Sequence, residues 1–106
     1  MPKFLIKGKY SVDAMKGLQK EKATSRQKAV EAACAAIGGE LDALYFARGD
    51  DDLFLIVDLP SHIQAASLCV TFGASGVGST STVPLLTVAE MDQALGGTIN
   101  YRPPGG

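Results

Sequence analysis

The chain has 106 residues, of which 46% are hydrophobic and 20% are charged, and its formal net charge is −1. This length and composition predict one soluble globular domain with a core of its own. They exclude a membrane protein, because no segment approaches the roughly 20 consecutive apolar residues that a spanning helix requires. The opening MPKFLIKGKY also has too few consecutive apolar residues for a secretory leader.

The first third of the sequence predicts a strand and two helical stretches. KFLIKGKY (residues 3–10) alternates between Phe4 and Ile6 on one face and Leu5 on the other. A helix, VDAMKGLQK, follows it, and a second one begins at Thr24 and ends at the glycine pair of residues 38–39. The apolar face of this second helix is predicted to consist of Ala29, Ala32, Ala33, Ala36 and Ile37.

Two strands are predicted next, at residues 40–48 and 52–59, joined by a turn that begins at Gly49. In the first strand, alternation places Leu41, Ala43 and Tyr45 on one face. The second, DLFLIVDL, is apolar on both faces and must therefore be covered on both.

The last third predicts a helix, a strand and a short helix. Ser61-x-x-Gln64 has capping-box spacing, and the helix it begins ends near Gly73. VGSTSTVPLLT predicts a strand that Pro84 restricts to a sheet edge or a bulge. VAEMDQALGG predicts a terminal helix. We expect a domain of residues 1–96 followed by a flexible tail, 97–106, rich in proline and glycine.

The order β-α-β-β-α-β is that of the ferredoxin-like fold, an α+β class with a four-stranded antiparallel sheet and both main helices on one face. The other face is expected to carry large apolar residues. The candidates are several of Leu5, Leu44, Phe46, Phe54 and Ile56, or their alternates. Because a large exposed apolar patch is rare on a monomer, we expect a second copy to cover it, giving a homodimeric α/β barrel.

Six residues are candidates for a ligand pocket: Lys9, Tyr10, Tyr45, His62, Thr80 and Thr82. Tyrosine and lysine beside small hydroxyls would provide a few polar anchors within apolar walls, as small-molecule sites require. The alternative is a solvent-exposed last strand with the tyrosines at a subunit contact. The single histidine begins a helix, where it is either an acid–base group or a surface residue.

No metal and no cofactor are expected. Neighbouring side chains of a strand point in opposite directions, so Asp50, Asp51 and Asp52 are predicted to form a solvated turn rather than a metal site. The sequence also has no nucleophile elbow and no phosphate-binding loop. Cys34 and Cys69 are interpreted as small buried apolar residues of a cytoplasmic protein.

The charge of the chain is unevenly distributed. Residues 1–28 hold eight basic and two acidic residues, whereas residues 29–60 hold one basic and seven acidic residues. Two solvated faces of opposite sign would explain this pattern. Alternatively, the basic segment meets the acidic segment of a neighbouring subunit, or it attracts an anionic ligand. Nucleic acid is not an expected partner, because the basic segment contains only two aromatic residues and the whole chain is slightly acidic.

The ordered pattern of residues 3–92 resembles the GYD domain family, small bacterial and archaeal proteins of the dimeric α/β-barrel superfamily. The likeness begins at KYS, continues through AAIGGEL and Tyr45, and ends at STSTVPLLTVAEM. It is clearest at GDDDLFLIVDLP, which is similar to the family's Gly-x-Tyr-Asp followed by a hydrophobic strand. Gly49 and Asp52 match that motif, whereas Asp51 stands at the tyrosine position. The resemblance implies a ferredoxin-like dimer and no particular reaction.

Three functions stay open from the sequence. The first is a homodimer that binds a small molecule in its barrel or dimer seam. The second is a cofactor-independent oxygenase or isomerase, as some relatives by fold are, so whether the protein is an enzyme stays undecided. The third is a structural or assembly module in which the oppositely charged segments stack dimers into a higher oligomer.

Overall fold

The computed structural model describes all 106 residues and has the predicted order of elements. The elements are β1 (Lys3–Tyr10), α1 (Val12–Ala36), β2 (Glu40–Phe46), β3 (Leu53–Asp58), α2 (His62–Ala74), β4 (Gly78–Leu85) and α3 (Val88–Leu95). The strands form one antiparallel sheet in the order β2-β3-β1-β4. This is the ferredoxin-like α+β fold, and the prediction is confirmed.

The core lies between one face of the sheet and the helices α1 and α2. Along β1 and β3, buried residues alternate with half-buried ones, as the sequence predicts. The buried hydrophobic residues are Phe4, Ile6, Val30, Cys34, Leu53, Leu55, Val57, Leu59, Ala65 and Leu68. Complete burial of a valine, leucine, isoleucine or phenylalanine contributes about 1.5–3 kcal/mol, so this layer is the main source of stability.

Helix α1 is interrupted at Lys22, whose backbone has φ 72° and ψ 170°. The predicted division into two helical stretches is therefore confirmed. This backbone conformation is normally restricted to glycine, because a Cβ atom is crowded there. The interruption separates an exposed first half of α1 from a second half that packs on the sheet through Val30 and Cys34.

The apolar face of that second half differs from the predicted one. Three of the five predicted residues are exposed: Ala29, Ala32 and Ala36. The other two pack partly against the core: Ala33 and Ile37. Val30 and Cys34 are buried instead, because the burial of larger side chains removes more apolar surface from water than the burial of alanines does.

Strand β2 also departs from strict alternation. Its pairing with β3 shifts between Leu41 and Ala43, which leaves Asp42 as a bulge. Leu41 pairs with Val57 on the helix side, whereas Ala43 pairs with Ile56 on the other side. The prediction that Leu41 and Ala43 share a face is wrong, because one inserted residue reverses the alternation of every residue beyond it.

The bulge is held by an ion-pair cluster across the sheet. Lys3 Nζ lies 3.0 Å from Asp42 Oδ2 and 2.9 Å from Asp58 Oδ1. Hydrogen bonds to Asp58 and Asp42 raise the pKa of the Lys3 ammonium. Since Lys3 belongs to the basic third of the chain and both aspartates to the acidic middle, part of the charge asymmetry is neutralised within one molecule.

The sheet face opposite the helices is not covered by its own chain, and we call it the open face. Its apolar residues are half-buried or exposed: Leu5, Ala43, Tyr45, Phe54, Ile56, Val83 and Leu85. Three of the residues expected there are present: Leu5, Phe54 and Ile56. Because of the bulge, Leu44 and Phe46 lie on the helix side, where they pair with Leu55 and Leu53.

The C-terminal part of the chain lies outside the core. Helix α3 begins with a capping box between Thr87 and Glu90 and has no buried residue. Val88 is 83% exposed and Leu95 68%. The radius of gyration is 16.9 Å, compared with about 13 Å for a compact chain of this length. Residues 96–106 form no helix or strand. No helix of the molecule is both long and apolar enough to cross a membrane.

The interruption of α1 generates a stability prediction. Replacing Lys22 with glycine should raise the free energy of unfolding by about 1 kcal/mol, because glycine adopts this backbone conformation without a crowded Cβ. The matched control is Lys20→Gly at a regular helical position of α1. It should lower the free energy of unfolding by about 1 kcal/mol. Urea denaturation of both variants gives the two signs, and equal signs would contradict the interpretation.

Candidate functional site

A cavity of about 90 Å³ lies between the sheet, the second half of α1 and the end of α2. Its floor is formed by buried side chains, among them Ile6, Val30 and Leu55. Exposed residues such as Ser75 and Ser79 lie at its mouth. The complete lining is Ile6, Gly8, Lys9, Tyr10, Arg26, Val30, Leu53, Leu55, Phe72, Ser75, Val77, Ser79 and Thr80.

The space exists because β1 has a glycine where alternation points a side chain towards the helices. Gly8 is buried, and a Cβ built on it would lie 3.7 Å from Leu53 Cβ, which is an ordinary contact. A side chain is therefore sterically allowed at this position. Its absence leaves room in the cavity that Gly8 lines.

Tyr10, the last residue of β1, places its hydroxyl group in a buried position without a hydrogen-bond partner. Its backbone N–H donates to Asp52 Oδ2 at 2.8 Å, and Asp52 N–H donates to Gly8 O at 2.8 Å. These two bonds fix the end of β1, and with it the position of the ring. Burial raises the pKa of the phenol, and the charge of Arg26 partly opposes the shift.

Arg26 brings a partly buried positive charge to the cavity. Its Nε atom is buried and has no hydrogen-bond partner. Its Nη1 atom lies 3.9 Å from Glu21 Oε1, which is too long for a hydrogen bond. Arg26 precedes Val30 and Cys34 by four and eight residues, so all three lie on the same stripe of α1. Arg26 is absent from the site residues predicted from the sequence, and its spacing from Val30 and Cys34 is the signal that identifies it.

The mouth is held by contacts between the start of α1 and the loop before β4. Ser11 N–H donates to Val77 O at 2.9 Å, and Ser11 Oγ donates to Gly76 O at 2.8 Å. Gly78 packs against the backbone of Lys9 so closely that a Cβ would overlap the carbonyl oxygen. The backbone around the cavity is therefore fixed on both sides.

The structure brings together three of the six predicted site residues: Lys9, Tyr10 and Thr80 line the cavity. Thr82 lies on the same side of the sheet, where its Oγ1 is 3.1 Å from Cys69 Sγ. Tyr45 lies on the open face and is 68% exposed. His62 is exposed at the start of α2, about 20 Å along the helix from its other end at the cavity.

Lys9 and Thr80 also border a depression without any hydrophobic lining residue, together with Lys7, Asp51, Ser79 and Ser81. A wholly polar depression lacks the apolar walls of a small-molecule site. The cavity, rather than this depression, therefore has the character of a binding site.

The aspartate turn contributes to the site through its last residue. Asp52 belongs to the backbone hydrogen bonds described above, whereas Asp50 is exposed. No group of three or more histidine, cysteine, aspartate or glutamate side chains is arranged to hold a metal ion. Both cysteines are free: Cys34 is buried, Cys69 is half-buried, and burial raises the pKa of the Cys34 thiol.

Together, the fold and the site define a ferredoxin-like α+β protein with a small internal cavity under its helices. The model of the GYD domain matches residues 4–95, and the chain belongs to this family. The predicted resemblance is therefore confirmed. No curated protein and no solved structure matches the chain.

The unpartnered hydroxyl generates a prediction for Tyr10→Phe. At pH 7 the variant should gain about 1 kcal/mol in unfolding free energy, because it removes a buried polar group without a partner. The folded-state pKa of Tyr10 is raised above its ordinary value of 10.0. The contribution of the protonated phenol to the wild-type unfolding free energy is fully present below pH 10 and is lost as the pH rises through the folded-state pKa. Phenylalanine does not ionise, so the stability advantage of the variant should grow in alkali.

Urea denaturation between pH 7 and pH 11 measures this difference. The control is Tyr101→Phe, since Tyr101 is 75% exposed. A loss of stability in Tyr10→Phe at pH 7 would mean that the hydroxyl has a partner in solution.

Proposed function

We propose that this protein is a homodimer that binds a small molecule in the cavity beneath its helices. One observation carries the proposal: two buried polar groups, Tyr10 Oη and Arg26 Nε, have no hydrogen-bond partner and border the same cavity. A buried polar group without a partner costs about 1–3 kcal/mol. A bound molecule that pairs with both groups removes this cost.

The rest of the cavity supports the same function. Small-molecule sites combine apolar walls with a few converging polar groups. Here the walls include Ile6, Leu55 and Phe72, and the polar groups come from Tyr10 and Arg26. This cavity lies on the helix side of the sheet. The pocket expected from the sequence lies instead in the barrel between two sheets or at the dimer seam.

The open face supports the proposed dimer. Leu5, Phe54 and Ile56 lie side by side on three neighbouring positions of the two central strands. Contiguous apolar patches of this kind on soluble proteins are commonly covered by a partner. A second copy would present the same residues around a two-fold axis, which is the arrangement of an isologous interface.

The binding function is favoured over the two other functions considered. An acid–base enzyme using His62 with Tyr10 would need the two side chains near each other, and α2 separates His62 from the cavity by most of its length. For an assembly driven by the charged segments, the pairing of Lys3 with two aspartates of its own chain removes part of the charge that would hold subunits together.

A cavity-filling variant tests the binding function. Native mass spectrometry of the protein purified from its own host should show a mass above that of the polypeptide. Gly8→Leu should remove the added mass, because the new side chain would occupy the cavity. The control Gly17→Ala, where no atom lies within 4 Å of the added Cβ, should keep it. The same added mass on the wild-type and Gly8→Leu polypeptides would contradict the proposal.

The introduction of a negative charge on the open face tests the dimer. Ile56→Glu should convert the protein to a monomer in sedimentation equilibrium, because a dimer would bury two unpaired carboxylates near its axis. Ile63→Glu is the matched control, since Ile63 is 68% exposed on α2 rather than on the sheet. A dimer that survives Ile56→Glu and dissociates in Ile63→Glu would place the interface on the helices.

A further inference from the structure

We infer that the cavity takes a small monocarboxylic acid, with its carboxylate between Arg26 and Tyr10 and a short apolar tail on the cavity floor. This inference rests on the proposed function and specifies the chemical class of its ligand. Nothing in the family match assigns a ligand to this site.

The polar groups select an acceptor with negative charge. Arg26 Nε–H can only donate a hydrogen bond, and the guanidinium carries a positive charge. The Tyr10 hydroxyl can donate a second bond. A carboxylate offers two oxygen atoms and accepts from both groups, and charge-assisted bonds of this kind are about twice as strong as neutral ones. An amine would be repelled by the guanidinium.

The surroundings limit the ligand to one carboxylate. The carboxylate of Asp52 accepts a bond from Tyr10 N–H, and its charge acts on the Tyr10 hydroxyl. Glu21 Oε1 lies 3.9 Å from Arg26 Nη1, and the charge of Glu21 also acts on the Tyr10 hydroxyl. A second negative group on the ligand would meet these two acids and the apolar walls. A phosphate would also leave oxygen atoms without donors among apolar side chains.

The remaining lining determines the tail. Ile6, Val30, Leu55 and Phe72 offer only carbon atoms to the interior. The cavity measures about 90 Å³, and a cavity of about 150 Å³ is known to admit benzene. A tail of two to three carbons therefore fits the floor, and longer tails would have to extend towards the mouth between Ser75 and Ser79.

Calorimetric titration with three probes of similar size tests the class: butyrate, butyramide and 1-butanol. The wild-type protein, freed of any retained ligand by unfolding and refolding, should bind butyrate at least tenfold more tightly than either neutral probe. Arg26→Gln should abolish this preference, and Tyr10→Phe should weaken butyrate binding several-fold. Lys28→Gln removes an exposed lysine of the same helix and should change nothing.

The outcomes separate the ligand class from the proposed function. Equal binding of all three probes, lost in Gly8→Leu, would overturn the carboxylate assignment and keep the cavity as a binding site. No binding of any probe, together with no host-derived mass on the wild-type protein, would overturn both. Butyrate binding that persists in Gly8→Leu and falls in Lys28→Gln would place the anion on the basic surface of α1 and overturn the inference.

Discussion

The sheet has two apolar faces, and the chain has only one layer of helices to cover them. Strand β3 shows this constraint most clearly, because Leu55 and Val57 are buried under the helices while Phe54 and Ile56 point the other way. The covered face holds the core and the cavity. The open face is left uncovered by its own chain. The surfaces on which the proposed ligand and the proposed dimer depend therefore arise from the same two central strands.

The residues that form the cavity lower the stability of the ligand-free fold. Gly8 omits a side chain that the space would accept, and Tyr10 and Arg26 bury polar atoms without partners. Each of these features weakens the ligand-free fold, since voids lose dispersion contacts and unpaired polar groups lose hydration. Such local departures from good packing are expected at functional sites, where binding energy compensates for them. The unpartnered atoms thus point to a ligand more directly than the shape of the cavity does.

Most of the fold could be predicted from the sequence because its signals are local. Alternation identified the central strands, and the break in α1 followed from two separate helical patterns around Lys22. The errors came from effects that depend on packing. The bulge at Asp42 is held by Lys3 from a strand two positions away in the sheet, and no pattern within β2 marks it.

The site was only partly predictable for the same reason. Alanine periodicity predicted a packed face of α1 that lacks Val30 and Cys34, and Arg26 was not among the residues predicted for the site. Only contact with the sheet selects Val30 and Cys34 over the alanines, and this choice turns Arg26 towards Tyr10. Tyr10 itself was identified, because a tyrosine at a strand end next to small hydroxyls is visible in the sequence.

The family motif acquires a physical meaning from these contacts. Asp52, which matches the motif, joins the turn before β3 to Tyr10 N–H and Gly8 O, and so holds the two β1 residues that shape the cavity. Asp51 replaces the motif tyrosine and borders the polar depression with Lys7 rather than the cavity. The departure from the family pattern therefore falls on the outer surface. Asp52, the motif residue that holds Tyr10 and Gly8 in place, is retained, and this agrees with the proposal that the cavity binds a ligand.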